Sequence, residues 1–290
     1  MSTWFITGSS RGFGRELVLA ALAGGHEVVA TARRPEQLAD LVAQAEGRVL
    51  PLPADVTDAA AVRSAVSAGV ARFGRLDVVV NNAGYANLGP IETTDEDDLR
   101  RQFETNFWGA HNVTRAAIPQ LRAQGGGTVV QFSSIGGRVG GSPGIASYQA
   151  AKFALDGYSR VLAAETAPFG IRVMVVEPSG FATDWAGSSM SVLDIPDEYD
   201  ATIGAVHRRL RSGTDGAAGD PARGAEIVVR TVDGGRMPSH LLLGGRAVDM
   251  ALEYSHAQLA EAETWAEISR SADFGAPFPV PLPRTGPAGR

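Results

Sequence analysis

Short apolar, β-branched runs recur along the chain, each followed by a longer stretch of mixed polarity. Residues 4–7, 27–31, 48–52, 77–80, 128–132 and 172–176 read as strands, and 240–243 as a last one. Helices are expected over 15–23, 35–45, 58–73, 95–124 and 148–167, then from 220 to the glycines at 234–235 and over 247–270. Asp58 is an expected N-cap. Asp220-Pro221 combines a capping carboxylate with a proline in the first turn, where its missing N–H costs nothing. The strands carry no polar alternation, as in strands buried on both faces. Repeated βαβ units of this kind predict an α/β, Rossmann-like doubly wound parallel sheet of about seven strands.

A chain of 290 residues fits one such unit. The reading is a single domain over 1–275 with a C-terminal substrate-binding extension and no internal repeat. Within it, 185–219 is rich in Gly, Ser and Asp and is expected to be a mobile substrate cover. Residues 276–290, with four prolines before Thr285, are expected to form an irregular tail.

Composition changes this picture little. There are 26 Lys and Arg against 32 Asp and Glu, a net charge of −6 that gives no reason to expect nucleic acid or an anionic membrane as partner. No cysteine occurs, which removes disulfides and thiolate chemistry. Neither a secretory leader nor a run of about 18 apolar residues is readable, so a cytoplasmic location is expected.

After the first strand comes Thr7-Gly8-Ser9-Ser10-Arg11-Gly12-Phe13-Gly14, then a helix. Glycines there permit a tight turn and let backbone N–H groups reach a pyrophosphate at the helix N-terminus. The G-x-x-x-G-x-G spacing differs from the ordinary G-x-G-x-x-G and taken alone fits a plain strand-to-helix turn. The second strand ends Thr31-Ala32-Arg33-Arg34 without the carboxylate that binds a ribose 2′-hydroxyl. Arg11, Arg33 and Arg34 could instead clamp a 2′-phosphate, which points to NADP(H) in preference to NAD(H).

Tyr148 and Lys152 are four positions apart on a predicted helix and therefore share a face. An ammonium beside a phenol favours the phenolate, which would lower a pKa that is otherwise near 10. Such a tyrosine can exchange a proton with an alkoxide. Upstream, the fifth strand runs into Ser133-Ser134-Ile135-Gly136-Gly137, and the fourth into Asn81-Asn82-Ala83-Gly84. Both lie at the carboxyl ends of parallel strands, where ligands bind in such sheets. Asn106 lies in a long helix, where asparagine is disfavoured, and its neighbours Phe107 and Trp108 argue for an interior position.

Together these residues resemble the short-chain dehydrogenase/reductase (SDR) family over roughly residues 3–185. The resemblance implies a catalytic tetrad of Asn106, Ser134, Tyr148 and Lys152. Tyr148 would be the acid–base, Ser134 would hold the substrate oxygen, Lys152 would bind ribose hydroxyls, and Asn106 would place a water in a proton relay. It implies a cofactor site of Gly8, Ser10, Arg11, Gly12, Phe13 and Gly14, with Asp55 and Val56 beside the adenine and Asn82, Ala83 and Gly84 along the cofactor. Tyr148, Lys152, Pro178, Gly180, Phe181 and Thr183 would lie toward the nicotinamide. The segment from Ser134 to Tyr148 is one residue longer than usual, which leaves Ser133 or Ser134 facing the substrate; Ser134, directly before Ile-Gly-Gly, is favoured. Ser179 stands where relatives often have glycine. No metal is implied.

The implied activity is hydride transfer between NADP(H) and a small-molecule ketone, aldehyde or alcohol. Residues 141–145, 85–88 and a cover bearing Trp185, Met190, Val192, Leu193, Ile195 and Tyr199 should bound the substrate, favouring an apolar or aromatic one. The Ser-Ile-Gly-Gly phrasing is similar to steroid- and retinol-type relatives. A homodimer or homotetramer is implied by resemblance alone. Two other classes compete: a non-enzymatic NADP(H)-binding regulator, which would not need the Tyr–Lys pair, and a nucleotide-sugar epimerase or dehydratase, which generally carries the other glycine spacing.

Overall fold

The computed structural model describes residues 1–183, 190–212 and 219–283. Seven parallel strands form one sheet in the order β3-β2-β1-β4-β6-β7-β9: β1 (Thr3–Ile6), β2 (Glu27–Ala32), β3 (Val49–Pro53), β4 (Val78–Asn81), β6 (Gly127–Phe132), β7 (Ile171–Pro178) and β9 (His240–Leu243). Successive side chains of a strand point to opposite faces, and here both faces are apolar. Trp4, Ile6, Val28, Val80, Phe132 and Met174 pack on one side with Leu17, Leu41 and Val228. Phe5, Val29, Val79 and Val129 pack on the other with Val66, Val113 and Leu162. Helices α1 (Gly12–Ala23), α2 (Ala39–Gln44) and α9 (Pro221–Asp233) supply the first layer. The second is built by α3 (Ala59–Phe73), α5 (Gly109–Ala123) and α7 (Ala146–Thr166).

The caps follow the sequence. Asp58 accepts from the backbone N–H of Ala60 and Ala61, and Asp220 from those of Ala222 and Arg223. The helix expected over 35–45 opens instead as a 3-10 turn, Pro35–Leu38, followed by a short α-helix, Ala39–Gln44. The helix expected over 95–124 is also not uniform. It comprises α4 (Glu96–Phe103), a π-helical turn (Glu104–Trp108) and α5. The chain widens where Asn106 turns its buried amide inward to backbone carbonyls, and single π turns of this kind are frequent at functional sites.

The expected mobile cover contains regular structure. β8 (Met190–Val192) pairs in parallel with β5 (Ala86–Leu88), and α8 (Ala205–Ser212) follows a π turn. Trp185 and part of the cover lie outside the described residues. The final helix, α10 (Gly245–Arg270), precedes an irregular stretch, and the end of the expected tail is likewise outside the described residues.

Candidate active site

The strand order reverses direction between β1 and β4, and the crevice beyond their carboxyl ends is where doubly wound sheets bind ligands. A cleft of about 1260 Å³ opens there. Its walls include Gly8, Ser10, Arg11, Gly12 and Phe13 from the turn before α1, and Arg33 and Arg34 from the end of β2. Asp55, Val56, Asn82, Ala83, Gly84 and Thr183 complete the share anticipated from sequence.

Gly8 and Gly12 have φ of 68° and 54°, a region open to glycine at little cost. A Cβ on Gly8 would come within 3.0 Å of the Ala83 Cα, so the two loops touch at backbone level. Gly14 stands just behind the cleft wall, and a Cβ on it would stand 2.1 Å from the Gly8 carbonyl oxygen. Its role is close packing of α1 on the Gly8 turn and Asn82. The first turn of α1 contains no acidic residue, which leaves the positive end of its dipole uncompensated by a side chain.

Thr7, not anticipated, joins the two loops. Its hydroxyl accepts from the backbone N–H of Asn82 (3.0 Å) and Ala83 (3.1 Å) and donates to Val80 O (3.2 Å). Asn82 Nδ2 donates in turn to Thr7 O at 2.9 Å. Asp55 is occupied in an Asx turn, accepting from Thr57 N and Thr57 Oγ1. Of the residues expected toward the nicotinamide, Thr183 borders this cleft, whereas Tyr148, Lys152, Pro178, Gly180 and Phe181 do not. Phe181 stacks on Phe13 at 4.8 Å and covers Gly219 and Gly224, so aromatic packing claims it.

Tyr148 and Lys152 lie on the buried face of α7. Lys152 Nζ donates to Phe132 O at 2.7 Å and lies 5.6 Å from the Tyr148 ring centre. The Ser134 side chain hydrogen-bonds Tyr148, and Ser134 Oγ accepts from Gly136 N at 3.1 Å. Ser133 points the other way, donating to Lys152 O. That arrangement separates the two serines, which the sequence left open. Ser179 seals β7 to β9, its backbone N–H donating to Leu243 O.

The electrostatics depart from the expectation of a lowered tyrosine pKa. Burial pushes the Tyr148 phenol up to about 12, opposed only by the Ser134 hydrogen bond. Burial also pulls the Lys152 ammonium down to about 8. Desolvation penalises the charged form of both groups and dominates here.

Asn106 Nδ2 donates to Tyr85 O (3.0 Å) and Gln102 O (2.9 Å). Its Oδ1 is buried without a hydrogen-bond partner. A Cβ on Gly84 would stand 2.6 Å from that oxygen and 3.5 Å from Lys152 Nζ. Gly84 thus joins the cleft to the Asn106–Lys152 pair. Gln102 was missed, although it lies one helical turn before Asn106 and is fully buried.

A family model described as short chain dehydrogenase matches residues 2–192. The chain belongs to that family. This SDR is an oxidoreductase-class enzyme, and its relatives agree. It is 46% identical over 267 residues to "Oxidoreductase BOA17" of Botryotinia fuckeliana, covering 92% of this chain and 97% of the relative. It is 36% identical over 214 residues to a 3-ketodihydrosphingosine reductase of Bacteroides thetaiotaomicron, covering 72% and 77%. A solved short-chain dehydrogenase from Streptomyces avermitilis superposes with a TM-score of 0.87 at 40% identity, covering 94% of this chain and 99% of that one. No helix among the described residues is long and apolar enough to cross a membrane.

Proposed function

We propose that this SDR reduces an apolar or aromatic ketone or aldehyde to the alcohol, and runs the reverse reaction, with NADP(H) in preference to NAD(H). The observation that carries the reading is the buried cluster in which Ser134 hydrogen-bonds Tyr148 while Lys152 shares its helix face beside Gly84 of the cleft. The cleft's features fit a dinucleotide: positive-φ glycines at a helix N-terminus, contact between loops at backbone level, and arginines at the end of β2. When bound, such a cofactor supplies or accepts the hydride.

The chain's own groups then handle the proton. A phenol with a pKa of about 12 is protonated at neutral pH and poised to donate to a substrate oxygen. Ser134, already hydrogen-bonded to Tyr148, would hold that oxygen. Lys152, anchored on the Phe132 carbonyl, would bind ribose hydroxyls and stabilise the negative charge left on the phenol as its proton departs. Asn106 presents its Oδ1 toward Gly84 and Lys152, where a water could pass the proton onward.

The preference for apolar substrates rests on the wall formed where three segments meet. Gly89 N donates to Gly144 O and Leu193 N to Leu88 O, both at 2.8 Å. Leu88 and Ile203 close over Gly144. The name of the Bacteroides relative, a 3-ketodihydrosphingosine reductase, is consistent with such a wall. The 2′-phosphate reading rests on Arg33 and Arg34 at the cleft and on the absence of a carboxylate at the end of β2.

Tyr148→Phe is the direct test. NADPH affinity, read by fluorescence, is expected to stay within about twofold, while turnover of an aryl ketone falls by about 10²-fold or more. Turnover near that of the unaltered enzyme overturns the reading.

A further inference from the structure

Behind the Tyr148–Lys152 cluster lies a chain of charges that belongs to neither the cleft nor the tetrad. Glu177 is fully buried near the end of β7, directly before the Pro178–Thr183 segment. Nε of Arg138 donates to its Oε2 at 2.8 Å, while its Oε1 has no hydrogen-bond partner. Burial raises the Glu177 pKa and the Arg138 guanidinium opposes that rise. His240 of β9 contacts Asp156 of α7 at 2.6 Å, and Arg160 also holds Asp156. One ligand-type atom each from Asp156, Glu177 and His240 lies within 4.8 Å of the others. Both carboxylates carry an arginine, so the cluster is balanced as an ion-pair network.

Arg138 emanates from the short helix α6 (Gly136–Val139), which begins two residues after Ser134. Gly136 N donates to Ser134 Oγ, Gly137 N to Ser134 O, and Ile135 N to Pro178 O. The ion pair therefore clamps the loop that carries Ser134 onto the exit of β7. On α7, Asp156 follows Tyr148 and Lys152 at successive four-residue steps on the same face. The network reaches that helix through His240.

We propose that Arg138 and Glu177 are positioning residues that hold the Ser134 hydroxyl in register with Tyr148. The proposal rests on the reductase reading above. A buried ion pair replaced whole by apolar side chains is often neutral for stability, whereas a broken pair is costly. That asymmetry separates positioning from mere support.

The test is a double-mutant cycle on the full chain with NADPH and phenanthrenequinone. The paired variant Arg138→Met/Glu177→Leu is expected to keep a Tm close to the unaltered enzyme and unchanged NADPH affinity, yet lose about tenfold or more in kcat. In a Ser134→Ala background the same pair should cost no more than about twofold, because its action passes through Ser134. A full kcat in the paired variant, or losses that multiply with that of Ser134→Ala, overturns the proposal. Should the paired variant not fold, Arg138→Lys serves: it keeps the charge and shortens the reach. It is expected to lower kcat with little change in KM or Tm, and an unchanged kcat overturns the proposal. If the unaltered protein binds NADPH but reduces no carbonyl, it is the reductase reading that fails, and this inference with it.

Discussion

At the residue scale the decisive balance is between desolvation and charge. Lys152 has a lowered pKa of about 8, so its ammonium is present below that pH and lost as pH rises through it. Tyr148, raised to about 12, keeps its proton throughout. The kcat/KM for NADPH, which reports the free enzyme, is expected to be flat below about pH 8 and to decline above it. An unchanged profile to pH 10 would contradict a role for the ammonium in cofactor binding. Replacing Arg33 and Arg34 together with Ala is expected to cost NADPH about tenfold or more in kcat/KM and NADH little. Equal losses for both would remove the 2′-phosphate reading. Tyr148, Lys152 and Ser134 were legible because covalent spacing on a helix and the exit of a strand fix where such side chains go. Thr7 and Gln102 were not, since a hydroxyl linking two loops, or an amide packed under Asn106, becomes visible only once distant segments meet.

At the element scale the strands and most helices were legible because β-branched runs and mixed-polarity stretches alternate so regularly. What the periodicity missed was local departure from regularity. A π turn at Glu104–Trp108 leaves no mark in an apolar pattern, and three-residue strands such as β5 and β8 are too short for one. Glycine spacing, by contrast, carried more than a turn. Gly84→Ala would drive a methyl to 2.6 Å from Asn106 Oδ1. It is expected to lower kcat by about tenfold or more and weaken NADPH binding, read by stopped-flow and fluorescence titration. Gly14→Ala should instead cost Tm first, because its methyl would stand 2.1 Å from the Gly8 carbonyl oxygen, a backbone atom with little room to move.

At the scale of the whole molecule the two core layers leave an outward stripe on α7. Phe153 and Val161 are about half exposed, with Gly157 between them, and Trp108 is exposed beside α5. We propose this stripe as the contact of the homodimer or homotetramer expected from the family resemblance. Light scattering is expected to return twice or four times the 30.3 kDa chain mass, and Val161→Glu should shift it toward one chain. A single-chain mass in the unaltered protein contradicts that expectation.

The short ladder between β5 and β8 has an evolutionary corollary. Main-chain bonds stitch the cover to β5 beside the cleft, and such bonds are indifferent to the side chains they carry. Mutation can therefore redraw the shape and greasiness of the cleft's mouth while its attachment persists, so side chains there can change without rebuilding the machinery beneath.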